Sequence, residues 1–509
     1  MDSESVSPPK RKRACRRRIA GLCLILLATP VLLLARPGWH LWRATVNDVD
    51  RLEKLEPGFT DDASRMNLTA VRRVHAAPSD GVRAERQLAD VLAEANQNGW
   101  HVSIAGSQHT MGGHTIYPGG VVIDMRPLNE MQLDEATNVL HVGAGATWQE
   151  VIAYLDRRGR SVGVMQSNNS FTVGGSLSAN CHGWQVGRPP IASTVRSFRL
   201  MLADGKVVRC SREDNSELFS AVIGGYGLFG IILDADLSVV PNRSYRLDRR
   251  VVPTAELPST WDAALAQHGQ SAEMAYGRLN VMGGRFLQDA IVYVLYDDPG
   301  SPPVPIHAPT SASTATLQRE ILRGAAVDEY GKKVRWQAEL NWQPMITGAN
   351  VSRNQLLNEG VEIFQNRSSG TTDILHEYFV PRAAFSRFVE QVQTIVPKHS
   401  GNLLNVTVRS IEPDKDAQLC YATEPVFSLV MLFQQDRTPA ADERMAAMTR
   451  ELIDASLAAG GRYYLPYRLH ATREQFRRAY PRADAFFALK RKYDPNGLFQ
   501  NQFYLKYGT

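Results

Sequence analysis

The spacing of apolar and polar positions divides the chain into a charged head, one unbroken apolar run, and a long body of strand-like and helix-like stretches. Residues 71–74 are strand-like, 76–80 form a turn that offers a helix N-cap, and 84–97 place Leu88, Val91, Leu92 and Ala95 at helical spacing. A strand over 102–105 runs into a Gly-rich loop, followed by a short apolar strand over 121–125. A strand at 140–145 precedes an amphipathic helix over 148–155 with Thr147 as its N-cap. Residues 195–202 and 207–208 read as a β-hairpin turning at Asp204-Gly205, and 231–240 as a strand ended by Pro241. Beyond Tyr245, alternation in 374–380, 403–411 and 427–433 predicts an antiparallel sheet, with helices over 384–395 and 442–458 on one face. The Pro/Ser/Thr-rich stretch 299–316 reads as a surface loop, and no internal repeat is found. The last fifty residues predict a Tyr-rich strand, a basic amphipathic helix and the terminal stretch Asp494-Pro-Asn-Gly-Leu-Phe-Gln-Asn501.

With 509 residues, 44% of them hydrophobic and 21% charged, the body has ordinary globular usage and room for two or three domains. The net charge of +5 is concentrated in Lys10–Arg18, so the rest is close to neutral and suggests no nucleic-acid partner. Residues 19–35 carry no charge, a length only just sufficient for a bilayer core of about 30 Å. The basic flank, with Trp39 and Trp42 beyond, predicts a single-pass anchor. Its N-terminus would be cytoplasmic and its catalytic body extracytoplasmic, which is periplasmic in a Gram-negative cell. A cleaved signal peptide is the rival, but Leu-Leu-Ala35-Arg-Pro is a poor cleavage site. Arg16-Arg17-Arg18 also resembles a twin-arginine export signal. The expected division is a basic tail (1–18), a transmembrane helix (19–36), a stalk (37–66), a first folded unit (67–243), a second (244–459) and a returning C-terminal segment (460–509). Five cysteines make no metal spacing and no disulfide framework; no metal site is expected.

Candidate chemistry gathers in two stretches. Ile104-Ala-Gly-Ser-Gln-His-Thr-Met-Gly-Gly-His114 brings backbone donors, small polar side chains and two imidazoles to a strand end, without the following helix that a dinucleotide-binding GxGxxG turn requires. Thr172-Val-Gly-Gly-Ser-Leu-Ser-Ala-Asn-Cys-His-Gly183 reads as a second such loop. Through Gly106-Ser-Gln-His109-Thr, Gly175-Ser-Leu-Ser-Ala-Asn-Cys-His182-Gly, Gly227-Leu-Phe-Gly230 and the Asp494–Asn501 stretch, the chain resembles the vanillyl-alcohol-oxidase-type (PCMH-type) flavoproteins, nearest the alditol oxidase and sugar-lactone oxidase branch. That resemblance implies an α+β fold: a two-subdomain FAD-binding domain over 67–243, a cap with an antiparallel sheet over 244–459, and a C-terminal segment that returns to the FAD domain.

It also implies roles. Backbone N–H groups of Gly106, Ser107, Gln108, His109 and Thr110 would form an anion nest, with Gly112, Gly113 and His114 behind them. His109 occupies the position where many members tether the flavin; His114 is the rival tether, and the alternative for His109 is a hydrogen bond to phosphate or backbone. From the second stretch, Ser167, Thr172, Gly174, Gly175, Ser176, Asn180, His182 and Gly183 would approach the cofactor, joined by Gly230, Ile231 and Asn501. Cys181 is read as a buried small residue. The branch carries a Glu-x-Arg pair on a cap strand and a Lys in the C-terminal segment; here Thr407 precedes Arg409, and His470 or Tyr467 falls near the Lys position. His470 is thus the first candidate base, with Glu377 as a substrate-binding carboxylate and Arg409 as an anchor for substrate or flavin.

The expected activity is oxidation of a hydroxyl on a polyol, sugar or sugar lactone, with O2, a quinone or a cytochrome as electron acceptor. The anchor, together with the Tyr-rich basic tail, also suggests a lipid-linked substrate, as in the decaprenylphosphoryl-ribose oxidase and sterol-reductase branches. A flavin-binding protein without catalysis is the reading from a different class.

Overall fold

The computed structural model describes residues 35–40, 42–43, 46, 55–303, 305–306, 319, 322–341 and 350–508. The expected anchor at 19–36 lies outside them except for its last two positions, as does most of the Pro/Ser/Thr-rich loop. Among the described residues no helix is long and apolar enough to cross a membrane.

The first strands are local. β1 (Phe59–Thr60) pairs with β2 (Thr69–Ala70), and β3 (Arg73–Ala76), β4 (Val102–Ala105) and β5 (Val121–Asp124) form a parallel sheet in the order β3-β5-β4. The helix Gly81–Asn98 crosses between β3 and β4. Asp80 accepts from the Arg83 N–H at its start, Gly99 turns left-handed at its end, and Ala84, Leu88, Val91, Leu92 and Ala95 are buried, as the helical spacing predicts. A second, antiparallel sheet holds β6 (Met131–Asp134), β7 (Val139–Gly143), β8 (Arg160–Val162), β9 (Val195–Met201), β10 (Val207–Ser211) and β11 (Ile231–Pro241). The helix Trp148–Asp156 packs beside it, with Thr147 and Glu150 forming a reciprocal capping box. These two units form the α+β lower half.

From Ser244 the chain builds an eight-stranded antiparallel sheet from β12 (Ser244–Pro253), β13 (Ala272–Leu279), β14 (Asp289–Asp297), β15 (Val351–Ser352), β16 (Thr371–Pro381), β17 (Asn402–Ile411), β18 (Val426–Asp436) and β19 (Arg462–Tyr463), in the order β15-β12-β14-β13-β17-β18-β16-β19. The helices Phe385–Lys398 and Pro439–Ala458 cover its outer face; the inner face looks toward the first half. Sequence periodicity finds β16, β17 and β18 but not β12, β13 and β14; burial of β13 and β14 on both faces leaves little alternation to read, and β12 is half-exposed and rich in charge.

Three expectations are corrected. The stretch 172–183 is largely a helix, Val173–Ala179, capped by Thr172 and closed by Asn180 in the left-handed region, because the Thr172 hydroxyl accepts the Gly175 N–H. The stalk does not extend to residue 66: Thr372 donates to the Ser64 carbonyl (2.6 Å), Arg437 holds the Arg65 carbonyl (2.9 Å), and residues 55–65 are folded against the cap. The C-terminal segment first gives β19 to the cap sheet before returning to the first half, where Phe499 bridges Val102. There Asn501 donates to the carbonyls of His114 and Tyr226, both at 2.8 Å.

Candidate active site

A cavity of about 1140 Å³ lies between the two halves, above the roughly 300–1,000 Å³ usual for a ligand site. Its lower wall is the 106–110 loop and the start of the Val173–Ala179 helix; its upper wall is the inner face of the cap sheet. The loop leaves β4 with Gln108 in the left-handed region (φ 53°), so successive N–H groups converge. Among the described residues the N–H groups of residues 106–110 have no hydrogen-bond acceptor, while the Ala63 N–H takes the carbonyls of Gln108 and Thr110 from behind. Among the described residues the Thr110 hydroxyl is buried without a partner. Gly106 is obligatory, since a Cβ there would meet the Thr172 hydroxyl at 2.1 Å, and a Cβ on Gly174 would meet the Ala144 side chain at 2.9 Å. A row of unsatisfied backbone donors beside an orphaned hydroxyl is what a pyrophosphate-bearing group requires.

His109 lines the cavity, its ring stacked on Phe171 at 4.2 Å, and burial pushes its imidazole down to about 4, which leaves it neutral. His114 packs on Tyr226 and Phe503 and is pushed down to about 3 by burial. Burial raises the Cys181 thiol to about 11, so it stays a thiol.

Of the residues expected to hold cofactor, Gly106, Ser107, Gln108, His109, Thr110, His114, Ser167, Thr172, Gly174, Gly175, His182 and Gly230 line the cavity. Gly112, Gly113, Ser176, Asn180, Gly183, Ile231 and Asn501 do not; they support the wall. Ser176 is bonded to Trp148 and Gln166, Asn180 to Asp414, and Asn501 ties the tail to the loop.

The cap wall concentrates charge on one row. Arg278 (β13), Thr407 (β17), Val430 (β18) and Glu377 (β16) are register partners across four adjacent strands, and all four line the cavity. At about 4.8 Å per strand the row spans about 14 Å. Glu377 is buried. The Tyr467 hydroxyl donates to its Oε2 (3.2 Å), the Ser428 hydroxyl donates to Oε1, and His182 Nε2 lies 2.7 Å from Oε1, bent away from a straight hydrogen bond. Burial pushes this carboxyl up, but the His182 imidazole, the Arg409 cation and the Ser428 hydroxyl together hold it below the usual carboxylate range. Burial in turn lowers His182, so the pair rests as neutral imidazole and carboxylate. Burial also keeps the Tyr467 phenol protonated. Arg409 donates to the His182 carbonyl (3.2 Å) and to the Ser167 hydroxyl, joining cap to lower wall.

His470 is not in the cavity. The chain changes sides of the sheet within three residues of Tyr467, and His470 packs under the helix Pro439–Ala458. There Thr449 Oγ1 lies 3.0 Å from its Nδ1, and Asp442 lies 3.1 Å from its Nε2. Glu377 and Tyr467, not His470, meet the cavity. Sequence reasoning missed Arg278, Glu359, Asn168 and Asn405, which also line it. An arginine in the mostly apolar strand β13 was the one available signal.

Residues 81–211 match the family described as FAD binding domain. The chain is 25% identical over 433 residues to decaprenylphosphoryl-beta-D-ribose oxidase of Mycolicibacterium smegmatis, covering 80% of this chain and 89% of that one. It is 26% identical to cytokinin dehydrogenase 10 of Oryza sativa subsp. japonica over 93% of this chain and 92% of that one. Cytokinin dehydrogenase 2 of Arabidopsis thaliana is 32% identical, over 161 residues only. The cofactor is FAD, and the protein is an FAD-dependent oxidoreductase.

Proposed function

We propose that the protein oxidises a hydroxyl-bearing carbon of a polyol, sugar or sugar lactone, and that residues 19–36 anchor it to a membrane with the catalytic body outside the cytoplasm. The observation that carries the chemistry is Glu377: a buried carboxylate, kept ionised, that reaches the cavity with the Tyr467 hydroxyl bonded to it. Glu377 accepts the proton of the substrate hydroxyl, directly or across Tyr467, while the carbinol carbon loses a hydride and becomes a carbonyl. The 106–110 loop and the 172–175 turn would hold FAD, which when bound would supply the two-electron acceptor for that hydride. Arg409 would offset the negative charge left on the acceptor when a hydride arrives without a second proton. His109, neutral and beside the cavity, is the proposed covalent tether.

A lipid-linked alcohol is the second reading. One of the relatives is named for decaprenylphosphoryl-beta-D-ribose. Leu55, Phe59 and Leu68 are large apolar side chains, 40–57% exposed, at the edge of the cavity, a lip suited to a hydrocarbon tail. Relatives named for cytokinin make an amine the competing substrate class. The decisive experiment is an anaerobic screen of polyols, sugars, lactones and amines for bleaching of the flavin absorbance. Bleaching by a hydroxylated compound is expected; bleaching by amines alone would overturn the assignment. Mixing the reduced enzyme with O2 separates oxidase from dehydrogenase, and the mass of the denatured chain, with or without an FAD adduct, decides the tether.

A further inference from the structure

At the end of the cavity remote from Glu377, two half-buried charges line the same space without meeting. Arg278 donates to Asn405 Oδ1 (3.3 Å) and to the Thr407 hydroxyl, and its other N–H groups have no partner among the described residues. Glu359 belongs to a different element, the 358–361 loop of the cap, which is clamped to the lower half. The Asn169 N–H donates to the Glu359 carbonyl (2.9 Å), Asn169 Nδ2 to Asn358 Oδ1 (2.7 Å), and the Val361 N–H to the Ser170 hydroxyl (3.2 Å). That clamp fixes the Glu359 backbone beside Asn168, whose Nδ2 is itself buried at the cavity wall and without a partner among the described residues.

The Glu359 carboxylate has no hydrogen bond among the described residues and makes no ion pair with Arg278, yet Arg278 is near enough to oppose the upward push that burial gives its carboxyl. An acceptor-only group and a donor-only group, both partly withdrawn from water and left unjoined on one cavity wall, are matched by a ligand that supplies a donor to one and an acceptor to the other. A hydroxyl does both. Neighbouring hydroxyls on one carbon chain do so with a geometry that no single-alcohol substrate can match.

We propose that Glu359 and Arg278, with Asn168, form a second polar subsite that binds substrate hydroxyls remote from the oxidised carbon and thereby selects polyhydroxylated substrates over simple alcohols. The proposal rests on the reading that the substrate is an alcohol oxidised beside Glu377. Neither residue touches the proton path, so the subsite sets specificity and leaves the chemical step alone.

The test uses the flavin-loaded full chain with xylitol, D-sorbitol and D-ribose against 1,5-pentanediol, which keeps a terminal hydroxyl and lacks the others. In Glu359→Gln and Arg278→Met, kcat/KM for the polyhydroxylated compounds falls about 10- to 100-fold, mostly through KM, as expected when a charged hydrogen-bonding partner is lost. For 1,5-pentanediol it stays within about threefold. Flavin content and thermal midpoint identify a variant that has misfolded; Asn168→Ala then carries the same comparison with a smaller, neutral loss. Equal effects on both compound classes, or none on either, would overturn the subsite while leaving the alcohol reading intact. A wild-type enzyme that oxidises none of these compounds or any other alcohol would remove the alcohol reading, and the subsite with it.

Discussion

The two walls of the cavity are built by different means. The lower wall offers backbone: five N–H groups without acceptors among the described residues, and glycines where a Cβ would collide. The cap wall acts through side chains at fixed places on a sheet, with Glu377, Thr407 and Arg278 on one register row. A backbone site depends on a few consecutive residues and tolerates almost no substitution at its glycines. A sheet-face site depends on the pairing of strands far apart in sequence, and single side chains can change without disturbing it. The first suits a cofactor that stays the same; the second suits a substrate that varies.

The lower wall should therefore break all at once. Gly106→Ala places a methyl group 2.1 Å from the Thr172 hydroxyl, which is already engaged as a helix cap, so the loop must move. The expected result is a folded protein that purifies colourless, measured as the ratio of flavin to protein absorbance with circular dichroism as the folding control. A yellow Gly106→Ala protein with full flavin occupancy would show that the loop is not the cofactor's seat.

The cap wall should instead lose chemistry while keeping flavin. Glu377→Gln preserves shape and the Tyr467 contact but cannot take a proton, and kcat should fall about 100-fold or more. His470→Gln, on the outer side of the sheet, should leave kcat within about threefold and lower the thermal midpoint by a few degrees, because it disturbs the bonds to Asp442 and Thr449. The reverse outcome, with His470→Gln inactive at full flavin content and Glu377→Gln active, would return the base role to the histidine.

This contrast also explains what could be read from the chain alone. That the 104–111 stretch lines a cavity was legible because a backbone wall writes its requirements into adjacent residues. Helix Gly81–Asn98 and its Asp80 cap were legible for the same local reason. Arg278 and Glu359 were not, since nothing near either residue in sequence says that β13 lies beside β17 or that the 358–361 loop folds onto Asn168. His470 misled because position along the chain carries no information about which face of a sheet the chain has reached. The helix at Val173–Ala179 was read as a loop because its glycines and serines have poor helix propensity; the Thr172 cap and burial against the second sheet outweigh that preference.

The two faces of one strand carry the comparison to its smallest effect. Glu377 faces the cavity and is kept charged; His376, one residue earlier, faces the helix layer and is kept neutral. Burial pushes the His376 imidazole down to about 3, with His470 adding to the effect, while Thr449, Tyr378 and Phe433 surround it with no carboxylate. An unfolded chain takes up a proton at this histidine below about pH 6.5, and the folded one does not. The unfolded state therefore binds more protons as pH falls, and stability must decline from pH 6.5 downward, by about 2 kcal/mol at pH 5 for one such group. Thermal midpoints measured at pH 7 and pH 5 should fall less steeply in His376→Gln than in the wild type. Equal slopes would mean that the outer face of the sheet admits the proton, and that the strand does not separate a charged side from a neutral one.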